Sequence, residues 1–381
     1  MRPITCIEDL RLLAKRRVPR MFYDYCDSGS WTESTYRANE DDFSRIKFRQ
    51  RVAVNLENRS TASTMVGQDV AMPVALAPTG LTGMQRADGE ILAARAAARF
   101  GVPFTLSTLS ICSIEDVAAH SSAPFWFQLY VMRDRPFVER LIERARAARC
   151  SALVLTLDLQ VLGQRHKDIK NGLSAPPRPT LANLVDMLCK PRWCLGMLGT
   201  PRRGFGNVVG HTAAVSDTAS LSAWIGQQFD PALSWDDVEW IKRRWGGKLI
   251  IKGIMDAEDA RHAAASGADA LVVSNHGGRQ LDGTSSSIAA LPAIVDAVGG
   301  AIEVHMDGGV RSGQDVLRAL ALGAKGVYIG RPFLYGLGAL GEQGVDTCLE
   351  LIRNELDLTM AFCGVRDVRQ VDATILLPRA L

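Results

Sequence analysis

Short apolar runs recur along the chain, spaced so that a helix can lie between one and the next. The runs are Val74 to Ala77, Phe104 to Leu106, Phe125 to Phe127, Ala152 to Leu157, Lys248 to Ile251, Ala270 to Val273, Ala301 to His305 and Gly326 to Ile329. Several of the intervening segments read as helices. Gly89 to Phe100 is alanine-rich, Arg135 to Arg149 is amphipathic, and Ser312 to Leu322 carries leucines at helical spacing behind Ser312 as a cap. Strands buried on both faces and alternating with helices predict a parallel sheet with crossover connections. Eight such strands predict an α/β fold, a (β/α)8 TIM barrel, built as one domain. Residues 1–70 form an N-terminal helical extension across one barrel end, 71–374 the barrel, and 175–231 a long insertion between strands 4 and 5. An open doubly wound sheet is the competing architecture.

Every run ends in polar residues or glycine: Pro78-Thr79-Gly80, Ser107-Thr108, Gln128-Leu129-Tyr130, Asp158, Lys252-Gly253, Ser274-Asn275-His276, Asp307-Gly308-Gly309 and Gly330-Arg331. In a closed barrel these ends meet at one mouth, where barrel chemistry takes place. His276 is followed by two glycines that let the backbone turn and then by Arg279. An imidazole takes a proton near neutral pH, and a guanidinium grips a carboxylate through two parallel hydrogen bonds, so the pair suits a small acid. A buried structural histidine beside a solvated arginine is the simpler alternative for such a pair taken alone. Asp158 is the natural partner to orient His276 and stabilise its protonated form. Lys252 has three roles open to it: a Schiff base, a fixed positive charge beside a cofactor, or a structural ion pair. Gly308 and Gly309 with Arg311, and Gly330 with Arg331, follow the last two strands, where such barrels bind phosphate.

Composition narrows the class. The 381 residues are 47% apolar and 22% charged with a net charge of +3, which supports a large core and gives no nucleic-acid footprint. Eight scattered cysteines form no CxxC pair, so neither a zinc site nor another metal site is expected, and reduced thiols point to a cytosolic compartment. The first residues lack the apolar core of a signal peptide, and no apolar stretch reaches the length of a membrane span.

The block Ser274-Asn275-His276-Gly277-Gly278-Arg279-Gln280-Leu281-Asp282 resembles that of the FMN-dependent 2-hydroxy-acid dehydrogenases and oxidases, and the likeness extends over nearly the whole chain. The Phe104-Thr105-Leu106-Ser107-Thr108 run, the Trp126 to Val131 strand and the insertion are most similar to the bacterial membrane-associated L-lactate dehydrogenases of that family. The resemblance implies that His276 is the base, Asp158 its stabiliser and Arg279 the carboxylate clamp. It also implies that Tyr25 and Arg165 contact the carboxylate and Tyr130 the substrate hydroxyl. FMN would lie against Pro78, Thr79 and Gly80, with Ser107, Gln128 and Thr156 bonding the ring, Lys252 at its electron-rich edge and Ser274 on the same side. Its phosphate would sit on Gly308, Gly309, Arg311, Gly330 and Arg331, with Asp307 meeting the ribityl hydroxyls. The implied reaction is oxidation of L-lactate to pyruvate with electrons passed to a membrane quinone, by a homotetramer peripheral on the cytoplasmic face of the inner membrane. Mandelate or glycolate as substrate, a flavin-binding barrel without turnover, an aldolase built on Lys252 and a purely cytoplasmic location are the alternatives.

Within the insertion, Thr180 caps a stretch, Leu181 to Leu188, with apolar residues at i, i+3, i+4 and i+7. Trp193 follows, with Lys190, Arg192, Arg202 and Arg203 nearby. The pattern predicts an interfacial helix that dips into one leaflet while the cations meet anionic headgroups. A lid over the active site is the competing role.

Overall fold

The computed structural model describes residues 3–173, 180–211 and 227–378. Its main sheet has eight parallel strands: β1 (Val74–Leu76), β2 (Thr105–Ser107), β3 (Trp126–Tyr130), β4 (Ala152–Thr156), β5 (Lys248–Ile254), β6 (Ala270–Val273), β7 (Glu303–Asp307) and β8 (Gly326–Ile329). Hydrogen bonding follows the order β1-β8-β7-β6-β5-β4-β3-β2. A parallel bridge from Leu76 to Phe104 joins β1 to the residue before β2 and closes the ring, which excludes the open sheet. Side chains alternate between two cores, as strand geometry requires. Trp126, Ala152, Val154, Ile250, Ala270, Val272 and Tyr328 fill the interior, while Leu106, Phe127, Leu153, Leu155, Ile251 and Leu271 pack outward under the helices.

Several strand boundaries shift toward the mouth, β5 among them, which ends at Ile254 rather than Ile251. β3 runs on through Gln128 to Tyr130, because its pairing with β4 continues to Thr156. β7 begins at Glu303 rather than Ala301, whose amide instead closes the preceding helix by donating to Val298 O at 2.9 Å. The helices Gly89–Phe100 and Gly313–Ala321 lie where the sequence pattern places them, and Ser312 caps the second by accepting from the Asp315 amide.

The N-terminal extension serves both barrel ends, which corrects the expectation of helices across one. A hairpin, Ser63–Met65 paired with Gln68–Val70, plugs the N-terminal end, with Met65 fully buried in the interior core. Helices Arg20–Cys26 and Ser34–Asp41 instead reach the mouth, where Ser30 N donates to Gly278 O and Asn39 pairs with Asn275 through both side-chain amides. In the insertion, helices Leu181–Leu188 and Pro191–Leu198 are present, and Thr180 caps the first as expected. Insertion residues 175–179 and 212–226 lie outside the described residues.

Candidate active site

The strand ends enclose a cavity of about 270 Å³. Of the residues predicted for the site, Tyr25, Pro78, Thr79, Gly80, Ser107, Tyr130, Arg165, Lys252, His276, Arg279, Asp307, Gly308, Gly309, Arg311, Gly330 and Arg331 line it. The other four stand directly behind that wall. Asp158 holds His276, Gln128 holds Ser107, Ser274 holds Lys252, and Thr156 is the register partner of Lys252.

His276 Nδ1 lies 2.9 Å from Asp158 Oδ1. His276 has φ of +58°, the left-handed region that costs a non-glycine residue about 1 kcal/mol or more and that clusters at functional sites. Its amide donates to Ser274 Oγ at 3.1 Å, which secures that turn. Burial works to raise the Asp158 pKa, but the charge and hydrogen bond of His276, with Lys252 behind them, outweigh it and hold the carboxyl below its usual range. Gly253 makes this packing possible. β5 and β6 slip register there, and a Cβ on Gly253 would stand 2.8 Å from the Cβ of Asp158.

Arg279 is buried with its guanidinium over the Tyr25 ring at 4.5 Å, and its Nη1 donates to Tyr25 O. Its Nη2 is buried and makes no hydrogen bond, with Asp168 Oδ2 3.8 Å away, too far to bond it, so a donor remains for an anion. Burial and then the neighbouring Arg165 push the Arg279 pKa down. Asp168, not anticipated from sequence, sits between the two cations, 3.8 Å from Arg279 and 3.6 Å from Arg165. Burial raises its pKa in spite of both. Nothing local marks it, because a carboxylate in the short polar helix His166–Lys170 looks like a solvated charge until the fold buries it. Tyr130 faces the same space edge-on to Phe229, and burial, then Asp158 and Tyr25, push its phenol upward, so it stays a hydrogen-bond donor.

Lys252 donates to Ser274 Oγ at 2.8 Å and pairs with Asp307 at 3.0 Å. Burial pulls its pKa down, but Asp307 and Asp158 more than offset this, so the amine is a fixed positive charge. The ion pair with Asp307 and the bond to Ser274 engage the amine that a Schiff-base lysine would need free, which disfavours the aldolase reading. Beside it, Gln128 Nε2, Thr156 Oγ1 and Asp307 Oδ1 are buried and unmatched. A donor, a hydroxyl and an acceptor left open around one cation suit a flat ring with polar edges, such as a flavin.

At the phosphate end, β8 leads through Gly330 into the helix Arg331–Leu340, and both Gly330 and Arg331 line the cavity at that helix start. Arg331 is held by the carbonyls of Cys26, Ser28 and Gly277 and lies over the Tyr36 ring. Arg311 pairs with Glu40 at 2.6 Å. Both arginines are thus fixed by the N-terminal extension. Gly309 is required for a related reason. At φ +85° it packs under the helix Ser34–Asp41, where a Cβ would fall 1.8 Å from Asn39 O.

The insertion supplies Phe205 and Phe229 to the cavity wall. Asn207 is buried, with its amide against Ser107 O, Thr108 O and Ser110 Oγ and its oxygen receiving the Ile114 amide. Part of the insertion is therefore structural. Trp193 also departs from expectation, since its Nε1 donates to Met84 O and its ring stacks on Phe22. Arg202 is likewise turned inward, paired with Asp88 and Asp116.

The sequence profile of FMN-dependent dehydrogenases matches residues 14–378. The chain belongs to that family. Its cofactor is accordingly FMN, and the unmatched polar groups around Lys252 suit it. An L-lactate dehydrogenase of Caulobacter vibrioides is 49% identical over 99% of this chain and 98% of that protein. One from Pseudomonas syringae pv. syringae is 46% identical, covering 98% of each. Among solved structures, a monotopic membrane (S)-mandelate dehydrogenase superposes with a TM-score of 0.94 at 36% identity, covering 99% of this chain and 100% of the other.

Proposed function

We propose that this FMN-dependent dehydrogenase oxidises L-lactate to pyruvate and passes the electrons to a membrane quinone. The observation that carries the oxidation is the unmatched Nη2 of Arg279 in the same cavity as the His276–Asp158 pair: a carboxylate clamp and a base that face one small acid. FMN, when bound, supplies the two-electron acceptor. Arg279, with Arg165 and Tyr25 beside it, holds the substrate carboxylate. Tyr130 donates to the substrate hydroxyl, and His276 takes a proton from the substrate as it is oxidised. Asp158 stabilises the resulting imidazolium, as buried carboxylates beside histidines do. Lys252 remains charged throughout and offsets negative charge that develops on the cofactor side. Phosphate binding falls to the Gly330–Arg331 helix start with Gly308, Gly309 and Arg311. Turnover, rather than flavin storage, is favoured because a binding protein has no use for a base aimed at a carboxylate clamp.

Anaerobic reduction of the bound flavin by a panel of L-lactate, D-lactate, glycolate and L-mandelate tests the substrate. Bleaching by L-lactate with D-lactate inert is expected. A response to L-mandelate alone would move the reaction to a bulkier acid.

For location, Leu181, Leu184, Val185, Leu188, Leu195 and Leu198 on the helix pair are between 51% and 77% exposed. A continuous apolar face of this kind marks an interaction surface, and an amphipathic helix beside cations suits one membrane leaflet. Of the cations read from sequence, Lys190 and Arg192 stand beside this helix pair, joined by Arg17 and Arg86, whereas Arg202 is turned inward. Arg17, Arg86 and Arg192 sit close enough that burial and then the other two lower the Arg17 pKa, and Lys190 is anchored on Arg16 O. Among the described residues no helix is long and apolar enough to cross a membrane. We assign a peripheral position on the cytoplasmic face of the inner membrane, with quinone drawn from the leaflet. Exposed Leu358 and Phe362, one turn apart on the helix Glu342–Phe362, support self-association, with a homotetramer as the proposed state.

A further inference from the structure

Barrel interiors are ordinarily packed with branched apolar side chains, yet β7 and β8 here turn an imidazole and a phenol inward. His305 is completely buried, with Nε2 3.0 Å from Glu303 Oε2. Its ring centre lies 5.7 Å from that of Tyr328, a residue that also lines the cofactor cavity. Tyr328 is the register partner of Asp307, which pairs with Lys252. Three polar atoms in this set are buried and unmatched: His305 Nδ1, the Tyr328 hydroxyl and Asp307 Oδ1. Each such atom costs about 1–3 kcal/mol when left bare, and ordered water is the usual remedy. Packing alone gives no reason to accept that cost, since a phenylalanine fills either space without it. At the far end the Glu303 side chain is 28% exposed and also accepts the Val66 amide at 2.9 Å. Solvent at the N-terminal end of the barrel and the cofactor cavity are thus joined by a run of titratable side chains.

We propose that Glu303, His305 and Tyr328, bridged by buried water, conduct protons between the N-terminal end of the barrel and the Lys252–Asp307 pair. A proton taken from solvent by the Glu303 carboxylate passes to His305 Nε2 as Nδ1 releases one. The Tyr328 oxygen accepts that proton as it gives its own toward Asp307 Oδ1. Each transfer forms one N–H or O–H bond and breaks another, no electrons move, and the imidazole changes tautomer. The charged groups around the line are Glu303, Lys325 and Lys248 with its partner Asp269 at the rim, and Lys252, Asp307 and Asp158 at the cavity. Burial, then Asp307 and Glu303, push the Tyr328 phenol well up, which keeps it a neutral carrier. When electrons reach FMN without hydrogen from a substrate, as at an electrode, a proton is taken up with them, and an acid bound in the mouth beside His276 closes the direct way in. A second route from the opposite end keeps charge balanced while the mouth is occupied.

The inference rests on FMN in the cavity, and a colourless purified parent would remove that foundation rather than the route. The test is protein-film voltammetry of the holoenzyme with oxalate, an inert dicarboxylate, in the mouth, in light and heavy water. Tyr328→Phe and His305→Phe are expected to keep FMN and its visible spectrum while electron exchange at the flavin slows about tenfold or more. Glu303→Gln, at the half-exposed rim, carries the same test should the core variants not fold. Parental exchange rates with an unchanged isotope effect in these variants would overturn the route.

Discussion

At the scale of single residues, the sequence made His276, Arg279 and Asp158 legible because their chemistry follows abruptly on apolar strands. It left Asp168 and Gly253 unseen, since their roles depend on neighbours that only the fold supplies. Asp27 is a further example. Its carboxylate receives the hydroxyls of Tyr23, Tyr335 and Tyr36 and pairs with Arg11. Burial works to raise its pKa, but Tyr335, Tyr23, Arg11 and Arg331 outweigh it and bring it down to about 2. A carboxyl moved from 3.8 to about 2 stabilises the fold by about 2 kcal/mol at neutral pH. Because the folded pKa is the lower one, that stabilisation is complete above the ordinary carboxylate value and is lost as pH falls through about 2. Asp27→Asn should therefore be less stable than the parent at neutral pH, with the gap closing by about 2 kcal/mol in acid. Urea titrations across that range check it, and parallel stability curves would count against the assignment. For the substrate clamp, Arg279→Lys keeps the charge but not the planar two-point grip. A large rise in KM with slower flavin reduction is expected, and an unchanged KM would take Arg279 out of the substrate site.

At the scale of elements, strand existence and order followed from the alternation of apolar runs with helices. Boundaries did not, because polar Gln128 and Tyr130 read as the end of a strand that in fact carries them into the site. The insertion was read as one device and has two. Its apolar helix face follows the sequence pattern, while Phe205 and Asn207 complete the cavity wall and its support, and Trp193 docks on Phe22. Excision of the whole segment would damage the site along with any membrane contact, so surface substitutions are the cleaner probe. Each leucine moved out of water is worth about 2 kcal/mol. A combined Leu181→Ser, Leu184→Ser and Leu188→Ser variant should leave vesicles containing anionic lipid for the soluble fraction in a flotation assay, while activity with a soluble dye persists. Unaltered vesicle binding would assign that face to something other than lipid.

At the scale of the molecule, the barrel brings eight strand ends to one mouth, and the N-terminal extension then fixes what lies there. Arg331, Arg311 and Gly309 looked like phosphate ligands alone, yet each is also set by contact with residues of the first 40 positions. Those contacts span nearly the full chain length, which is why no local pattern announced them. The central claim is that His276, held by Asp158, is the base of an FMN-dependent oxidation of L-lactate. The most direct measurement is anaerobic stopped-flow mixing of L-lactate with the yellow holoenzyme and with His276→Ala, using dithionite to show that both flavins are reducible. The account predicts rapid bleaching of the parent and slowing by about 10²- to 10⁴-fold in the variant. Bleaching of His276→Ala at the parental rate would contradict it.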